Sequence, residues 1–225
     1  MKTAVIHSYN GMGDLIWHLP YIHAVARQTK EKKVVLFSKR TTRAHELLSA
    51  DPYIKKIINL SDSRGIFTNL FSFFKISKSL KQNNIEKIWI FHESIKYALA
   101  SFSAGINERF GYEYGLQKIF LSKKNIMPKI SKFERPFEKA RIFCESHGIK
   151  KENIKPGFFI EKKSLLKIKK KYKKKSKPWI VISTTNKADF KKWPNERFSK
   201  LINLILNSFK GTIFMIGAPE EKEFI

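Results

Sequence analysis

Residues 3–14, TAVIHSYNGMGD, decide how the first half of this chain folds. The apolar run TAVIHS (3–8) stops at a loop that contains Gly11 and Gly13, and a helical pattern follows to about Lys30. The predicted helix has four apolar residues on one face: Leu15, Leu19, Ile22 and Ala26. A strand that enters a helix through such a loop is typical of the first unit of a parallel α/β sheet.

The alternation of strand and helix continues along the chain. Further strands are predicted at 34–37, 54–60, 87–91 and 108–112, and further helices at 41–50, 65–82, 94–104 and 135–146. Beyond residue 177 the pattern restarts with strand 178–183, helix 194–209, strand 212–216 and a further helix that starts near Glu220. This order predicts an α/β protein with parallel sheets.

The composition excludes several classes of protein. With 42% hydrophobic residues and 19 Phe, the chain can bury a core despite a mean hydropathy of -0.35. The net charge of +26 comes mostly from Lys, and because nucleic-acid recognition relies on Arg, an anionic membrane or a phosphorylated substrate is the better expectation. A single cysteine, Cys144, excludes a disulfide framework. No apolar run is long enough to cross a membrane, and no signal peptide precedes Gly11, so we expect a cytoplasmic protein.

One segment of the chain is dominated by lysine. Residues 161–178 hold ten Lys and one Glu, and like charges at that density repel one another. We therefore expect a first domain over 1–160, an exposed linker over 161–177 and a second domain over 178–225. The second domain is expected to be incomplete, since two strands and one and a half helices cannot cover both faces of a parallel sheet.

The glycine loop has the features of a ligand site. Gly11 and Gly13 allow a ligand close to the backbone, and the free N–H groups of the following helix favour an anion. The pattern lacks the G-x-G-x-x-G spacing of dinucleotide-binding loops. Two roles stay open for Asp14, a helix cap and a catalytic carboxylate. His18, one turn later, is either a packing residue or a second functional group.

The stretch S-Y-N-G-M-G-D-L-I-W-H-L-P-Y-I-H-A-V (8–25) resembles the opening of the family 9 glycosyltransferases, the ADP-heptose:lipopolysaccharide heptosyltransferases. The resemblance continues through 104–112 and 133–149 and resumes at 184–202 and 214–223. Its most specific element is K-x-W-P-x-x-x-[FW], which begins here at Lys191.

This resemblance implies an inverting enzyme of the GT-B type, with two Rossmann-like domains and the active cleft between them. The first domain would hold a lipid-linked saccharide acceptor and the second a nucleotide-sugar donor. Asp14 matches the family's proposed general base, and Lys191 matches a lysine that neutralises charge on the leaving diphosphate.

The resemblance also implies a donor-binding set in the second domain. Thr184 and Thr185 match loop residues that hydrogen-bond the phosphates, and Lys192 lies with them. Glu221, with Glu220 as the second choice, matches an acidic residue that bonds the nucleotide ribose. The alternative for Lys191 and Lys192 is that they are solvated charges in a lysine-rich chain.

The chain departs from the family pattern in one respect. The Asp-[Ser/Thr]-Gly-x-x-His segment that faces the donor does not occur in these 225 residues, so the donor site is expected to be incomplete and independent activity is in doubt. The sequence contains no Asp-x-Asp and no cluster with metal-ligand spacing, so neither a metal ion nor a cofactor is expected.

The sequence leaves three functions to compare. The first is a glycosyltransferase that acts on the lipopolysaccharide core, with peripheral contact to the inner membrane face. The second is a truncated, non-catalytic sugar- or phosphate-binding protein of the same family. A nucleic-acid-binding protein is the weakest, and no nucleic-acid partner is expected. Helix 65–82 is either buried or in a membrane interface, and His92-Glu93 either shape a loop or contact the acceptor.

Overall fold

The computed structural model describes residues 1–60, 66–122, 126–149, 157–184 and 193–217. The chain forms two units, Met1–Glu161 and Lys162–Ile225. Within the described residues, no helix has both the length and the apolar character needed to cross a bilayer.

The first unit is built on a five-stranded sheet in which every pair is parallel. Its strands are β1 (Thr3–His7), β2 (Val34–Lys39), β3 (Ile54–Leu60), β4 (Lys87–Phe91) and β5 (Glu108–Phe110). Their order across the sheet is β3-β2-β1-β4-β5. All of β1 is buried, which is the condition of a central strand covered on both faces. The predicted parallel α/β sheet is confirmed.

Helices cover both faces of this sheet. They are α1 (Met12–Arg27), α2 (Ala44–Leu47), α3 (Ile66–Gln82), α4 (Ile95–Ser103) and α5 (Pro136–Ser146), with short 3₁₀ helices η1 (Arg40–Thr42), η2 (Gly115–Phe120) and η3 (Lys129–Phe133). Alternate residues of β1 enter two separate cores: Val5 packs with residues of α1 and α5, and Ile6 packs with residues of α3 and α4.

The apolar pattern of α1 and α3 agrees with this packing. The four residues predicted to share one face of α1 are fully buried. In α3, Ile76 and Leu80 are buried in the core, whereas Phe74 is 60% exposed. The described part of α3 is therefore a packed helix with an exposed side.

The helix predicted over 41–50 is wrong in its extent. The structure has η1 and the four-residue α2 there, separated by Arg43, whose φ of +50° lies in the left-handed region. An α-helix cannot continue through a residue in that conformation.

Over residues 162–184 and 193–217, the second unit contains two parallel strands and two helices. They are α6 (Lys162–Lys171), β6 (Trp179–Ser183), α7 (Asn195–Ser208) and β7 (Thr212–Ile216). The lysine-rich segment was predicted to be a linker, yet it forms α6, and every residue of α6 is exposed. Lys and Leu are good helix formers, and a helix in water keeps its charges solvated.

Candidate active site

The order of the strands places the switch point of the sheet, where such sheets form a crevice, between β1 and β4. The chain proceeds from β1 to β2 and β3 on one side and then crosses to β4 on the other side of β1. The loops after β1 and β4 therefore leave the same edge of the sheet in opposite directions. In open α/β sheets, ligands bind at this switch point, outside the carboxyl ends of the strands.

Asp14 lies at the start of α1, next to this crevice. Gly11 is the N-cap and Asp14 is the third helical residue, so Asp14 does not occupy the N-cap position that the sequence indicated. Its Oδ2 accepts a hydrogen bond from the Gly11 N–H at 3.1 Å. The Asp14 residue is exposed, so the same carboxylate that closes the loop is accessible to a solute.

The two glycines of the loop differ in what they require. A Cβ on Gly11 would lie 3.1 Å from Oδ2 of Asp14, so a side chain there would crowd the carboxylate. A Cβ on Gly13 would meet no atom within 4 Å. The position of the Asp14 carboxylate therefore requires glycine at residue 11. At residue 13 the absence of a side chain leaves open space at the N-terminus of α1.

A cluster of buried and half-buried rings supports the loop from below. His18 stacks on Tyr9 with ring centroids 5.0 Å apart, and the His7 ring meets His18 edge-on at 4.9 Å. Tyr9 in turn lies 5.4 Å from the ring of His92, which follows β4. These contacts join the ends of β1, α1 and β4, so the rings fix the shape of the crevice.

Burial favours the neutral form of each histidine in this cluster. Burial lowers the pKa of His7 well below its ordinary value, and the neighbouring His18 lowers it further. Burial likewise lowers the pKa of His18, and it lowers that of His92 to about 4, with Lys39 contributing. The floor of the crevice therefore carries no positive charge from imidazole.

His18 and His92 both hold local backbone. Nδ1 of His18 lies 2.6 Å from the carbonyl oxygen of Asp14, and Nε2 lies 3.3 Å from that of Pro136. A neutral His18 with its proton on Nδ1 therefore makes the shorter of the two hydrogen bonds. His92 Nδ1 accepts from the Ser94 N–H at 3.0 Å. These contacts give both imidazoles the structural role that the sequence offered as one of two alternatives.

An ion pair crosses the rim of the crevice. Lys139 on α5 is buried, and its ammonium bonds Oε1 of Glu93, which follows His92 and is exposed. The Glu93 carboxylate adds to burial in raising the pKa of Tyr9 to about 12, so Glu93 acts electrostatically on the ring cluster. Sequence reasoning missed Lys139, although it falls on the buried side of α5 with Ala140 and Phe143, where a lysine needs a partner.

The structure places some of the predicted site residues. Asp14, Gly11 and Gly13 come together at the N-terminus of α1. Thr184 follows β6 in the second unit, where it is buried and its Oγ1 has no hydrogen-bond partner among the described residues. The others lie outside the described residues: Thr185, Lys191, Lys192, Glu220 and Glu221. Within the part of the chain that the structure describes, no group of three His, Cys, Asp or Glu could hold a metal ion.

Comparison with known proteins gives one family and one fold. The model of glycosyltransferase family 9 (heptosyltransferase) matches residues 73–225. A search of curated proteins finds no match. Among solved structures, the family 9 glycosyl transferase of Veillonella parvula DSM 2008 is 14% identical with a TM-score of 0.78, over 99% of this chain and 64% of that one.

Two Escherichia coli structures are also similar. ADP-heptose lps heptosyltransferase II is 17% identical with a TM-score of 0.69, over 99% of this chain and 66% of that one. Heptosyltransferase WaaC with ADP-2-deoxy-2-fluoro heptose is 18% identical with a TM-score of 0.66, over 99% and 71%. This chain thus spans about two thirds of these proteins. At such identities the likeness shows the fold, which is that of GT-B glycosyltransferases over the part spanned.

Proposed function

Because the chain belongs to glycosyltransferase family 9, we propose that it takes part in transferring a heptose or a similar sugar from an ADP-sugar to a lipopolysaccharide core acceptor. The transfer inverts the configuration at the anomeric carbon. The choice of donor draws on the similar Escherichia coli structures, one an ADP-heptose heptosyltransferase and the other determined with an ADP-heptose analogue.

The observation that carries this proposal is the position of Asp14. Its exposed carboxylate stands at the first turn of α1, at the switch point of the sheet, held by the Gly11 N–H. An inverting transfer needs a base on the acceptor side. The acceptor oxygen bonds to the anomeric carbon, its proton passes to Asp14, and the bond from that carbon to the diphosphate breaks to release ADP.

The neutral ring cluster suits a base at this place. Burial favours the neutral form of His7, His18 and His92, so these rings add no positive charge to the site. His18 also holds the carbonyl of Asp14 through its Nδ1 proton, which fixes the first turn of α1. A base held in place in this way loses little freedom when the acceptor binds.

The donor is assigned to the second unit. Thr184 is buried at the carboxyl end of β6, and its hydroxyl has no partner among the residues that the structure describes, which supports a hydrogen bond from it to a donor phosphate. Thr185 and Lys192 join it in the proposed phosphate site, and Lys191 neutralises the charge that develops on the leaving diphosphate. Glu221 accepts hydrogen bonds from the ribose.

The acceptor suggests where the protein works. A lipopolysaccharide core is built on a lipid, so the proposed place of action is the inner face of the cytoplasmic membrane, with the protein bound there peripherally. The positive charge of the chain fits an anionic membrane surface.

The test uses the complete polypeptide that the gene encodes, incubated with a heptose-free core acceptor. ADP-heptose should release ADP and yield a product with inverted anomeric configuration by nuclear magnetic resonance. UDP-glucose serves as the control donor. Equal turnover of both donors, or a product with retained configuration, would contradict the proposed function.

A further inference from the structure

Large apolar side chains are exposed on η2 and η3. Leu116 and Ile119 of η2 are 65% and 54% exposed, and Ile130 and Phe133 of η3 are 71% and 83% exposed. Both helices belong to the first unit, whose sheet is covered on both faces, so these side chains do not come from an uncovered sheet face.

The spacing of these residues gives each helix three distinct sides. A 3₁₀ helix has three residues per turn, so residues three apart lie on the same side. In η3, Lys129 and Lys132 form one side, Ile130 and Phe133 the next, and Ser131 is buried on the third. In η2, Leu116 and Ile119 share a side, Gln117 is buried, and Lys118 is exposed on the remaining side. Each helix thus presents an apolar side beside a basic one.

Partly buried hydrogen bonds hold both helices in this orientation. The Gln117 side chain donates to the carbonyl of His92 at 2.7 Å and accepts from the Glu113 N–H at 3.0 Å. The Ser131 hydroxyl is 2.8 Å from the hydroxyl of Tyr114. The exposed apolar residues therefore project from a fixed scaffold.

The lysines of the two helices line one cavity. This cavity has a volume of about 320 Å³, and Lys118, Lys129 and Lys132 contribute to its wall along with Tyr112, Glu113, Tyr114, Gly115, Met127 and Pro128. Its lining includes three lysines and one glutamate, so the cavity has a positive potential. The same two helices thus supply both the exposed apolar side chains and the lysines that line the cavity.

We propose that the η2–η3 surface docks on an anionic lipid bilayer. This surface consists of Leu116, Lys118, Ile119, Lys129, Ile130, Lys132 and Phe133. The apolar residues enter the headgroup region, and the lysines contact lipid phosphates, which is how basic amphipathic surfaces bind membranes. The inference names the surface for the peripheral binding proposed above, and its test requires no sugar transfer. A nucleic acid fits less well, because it would not use exposed aliphatic side chains.

Two other exposed regions are weaker candidates. Helix α6 is richer in lysine, but Lys169 follows Leu165 by four residues and so interrupts its apolar side. Helix α3 exposes Phe74 on a helix whose Ile76 and Leu80 are engaged in the core. These regions provide matched controls.

The first experiment measures cosedimentation of the 225-residue chain with vesicles of phosphatidylcholine, with and without phosphatidylglycerol. We expect binding to the anionic vesicles. Lys129→Glu with Lys132→Glu should weaken partitioning at least about twentyfold, since each lysine near an anionic surface contributes roughly fivefold. Ile130→Ser with Phe133→Ser should weaken it by about tenfold or more. Lys169→Glu with Lys170→Glu, and Phe74→Ser, should each change it less than about threefold.

Circular dichroism verifies the fold of each variant. A second measurement detects insertion into the bilayer directly, without a variant that binds less. Phe133→Cys, labelled with an environment-sensitive fluorophore, should show a blue shift on adding anionic vesicles, whereas labelled Phe74→Cys should not. The native Cys144 is buried with a raised thiol pKa, so it does not compete for the label.

Several results would overturn the proposal. One is that the parent chain does not bind anionic vesicles. Another is that the control variants bind as weakly as the η2–η3 variants, and a third is that the label at residue 133 shows no blue shift. Loss in the lysine variant alone, with the apolar variant unchanged, would assign the surface to a polyanion such as nucleic acid. Asp14→Asn should bind vesicles like the parent, so failure of this inference is separable from failure of the proposed transfer.

Discussion

Replacement of Asp14 by Asn separates the two roles of this carboxylate. The amide oxygen of Asn can still accept the Gly11 N–H that Oδ2 of Asp14 accepts at 3.1 Å, so the closure of the loop is kept. What is lost structurally is a negative charge in the first turn of α1, which contributes about 0.3–1 kcal/mol at an exposed site. We therefore expect the unfolding free energy to fall by less than about 1 kcal/mol.

The expected catalytic loss is much larger. An amide cannot take the proton of the acceptor hydroxyl, and loss of a general base costs about 10²–10⁴ in rate. At 1.36 kcal/mol per factor of ten, this is about 3–5 kcal/mol of transition-state stabilisation. ADP release by the complete polypeptide gives kcat and KM, and urea denaturation gives the stability.

Glu138→Gln provides a matched control for this substitution. Glu138 occupies the third position of α5, as Asp14 does in α1, so the same charge is removed from the same helix position. Glu138 also pairs with Arg141 at 2.7 Å, so the comparison concerns the rate and not the stability. This variant should keep its rate within about threefold. A similar rate for Asp14→Asn would reduce Asp14 to a structural residue and refute the proposed mechanism.

The remaining predictions concern the loop, the ion pair, the imidazoles and the lysine-rich segment. Gly13→Ala should leave the thermal midpoint unchanged but raise KM severalfold if a substrate approaches the N-terminus of α1. Gly11→Ala should lower both the thermal midpoint and the rate, because its Cβ crowds the Asp14 carboxylate. Glu93→Gln should lower the unfolding free energy by about 1–3 kcal/mol in urea denaturation, since it leaves the Lys139 ammonium buried without its carboxylate partner. Lys139→Met should lower it by less than about 1 kcal/mol, because the Glu93 carboxylate that remains is exposed. The fold favours the neutral form of His92, whose pKa is lowered to about 4. The contribution of this group to folding stability is therefore complete above pH 6.5 and is lost as the pH falls towards 4. The denaturation midpoint should fall less between pH 7 and pH 4 in His92→Gln than in the parent. Limited trypsin digestion should cut first within 161–178, and early cleavage inside β1–β5 would contradict the division into domains.

The strands of the first unit could be predicted because local pattern and tertiary environment agree. Runs such as TAVIH and KIWIF are apolar, bounded by polar residues and buried on both faces, so composition alone identifies them. The prediction of a helix over 41–50 was wrong because the residue in the left-handed conformation, Arg43, is neither glycine nor asparagine, so the local sequence does not indicate a break there. Helix α6 was missed because charge repulsion was given more weight than the helix propensity of lysine.

Part of the candidate site could be predicted from the sequence and part could not. Asp14, Gly11 and Gly13 are neighbours in sequence, so one loop motif is enough to place them together. The supporting contacts join distant parts of the chain: Glu93 and Lys139 are 46 residues apart, and Tyr9 meets His92 only after β4 has paired with β1. No sequence pattern specifies such pairs, because they follow from the strand order.

The buried environment of the site argues for a function in its own right. A protein that used this edge only for packing could fill it with apolar side chains, which need no partners. Instead, three histidines are held neutral by burial, and a buried lysine is tied to a carboxylate at the rim. Polar groups in such positions cost stability unless each is satisfied, and both nitrogens of His7 have no partner among the described residues. Proteins tolerate this cost mainly at functional sites, and here it is concentrated beneath Asp14, the exposed carboxylate at the switch point of the sheet.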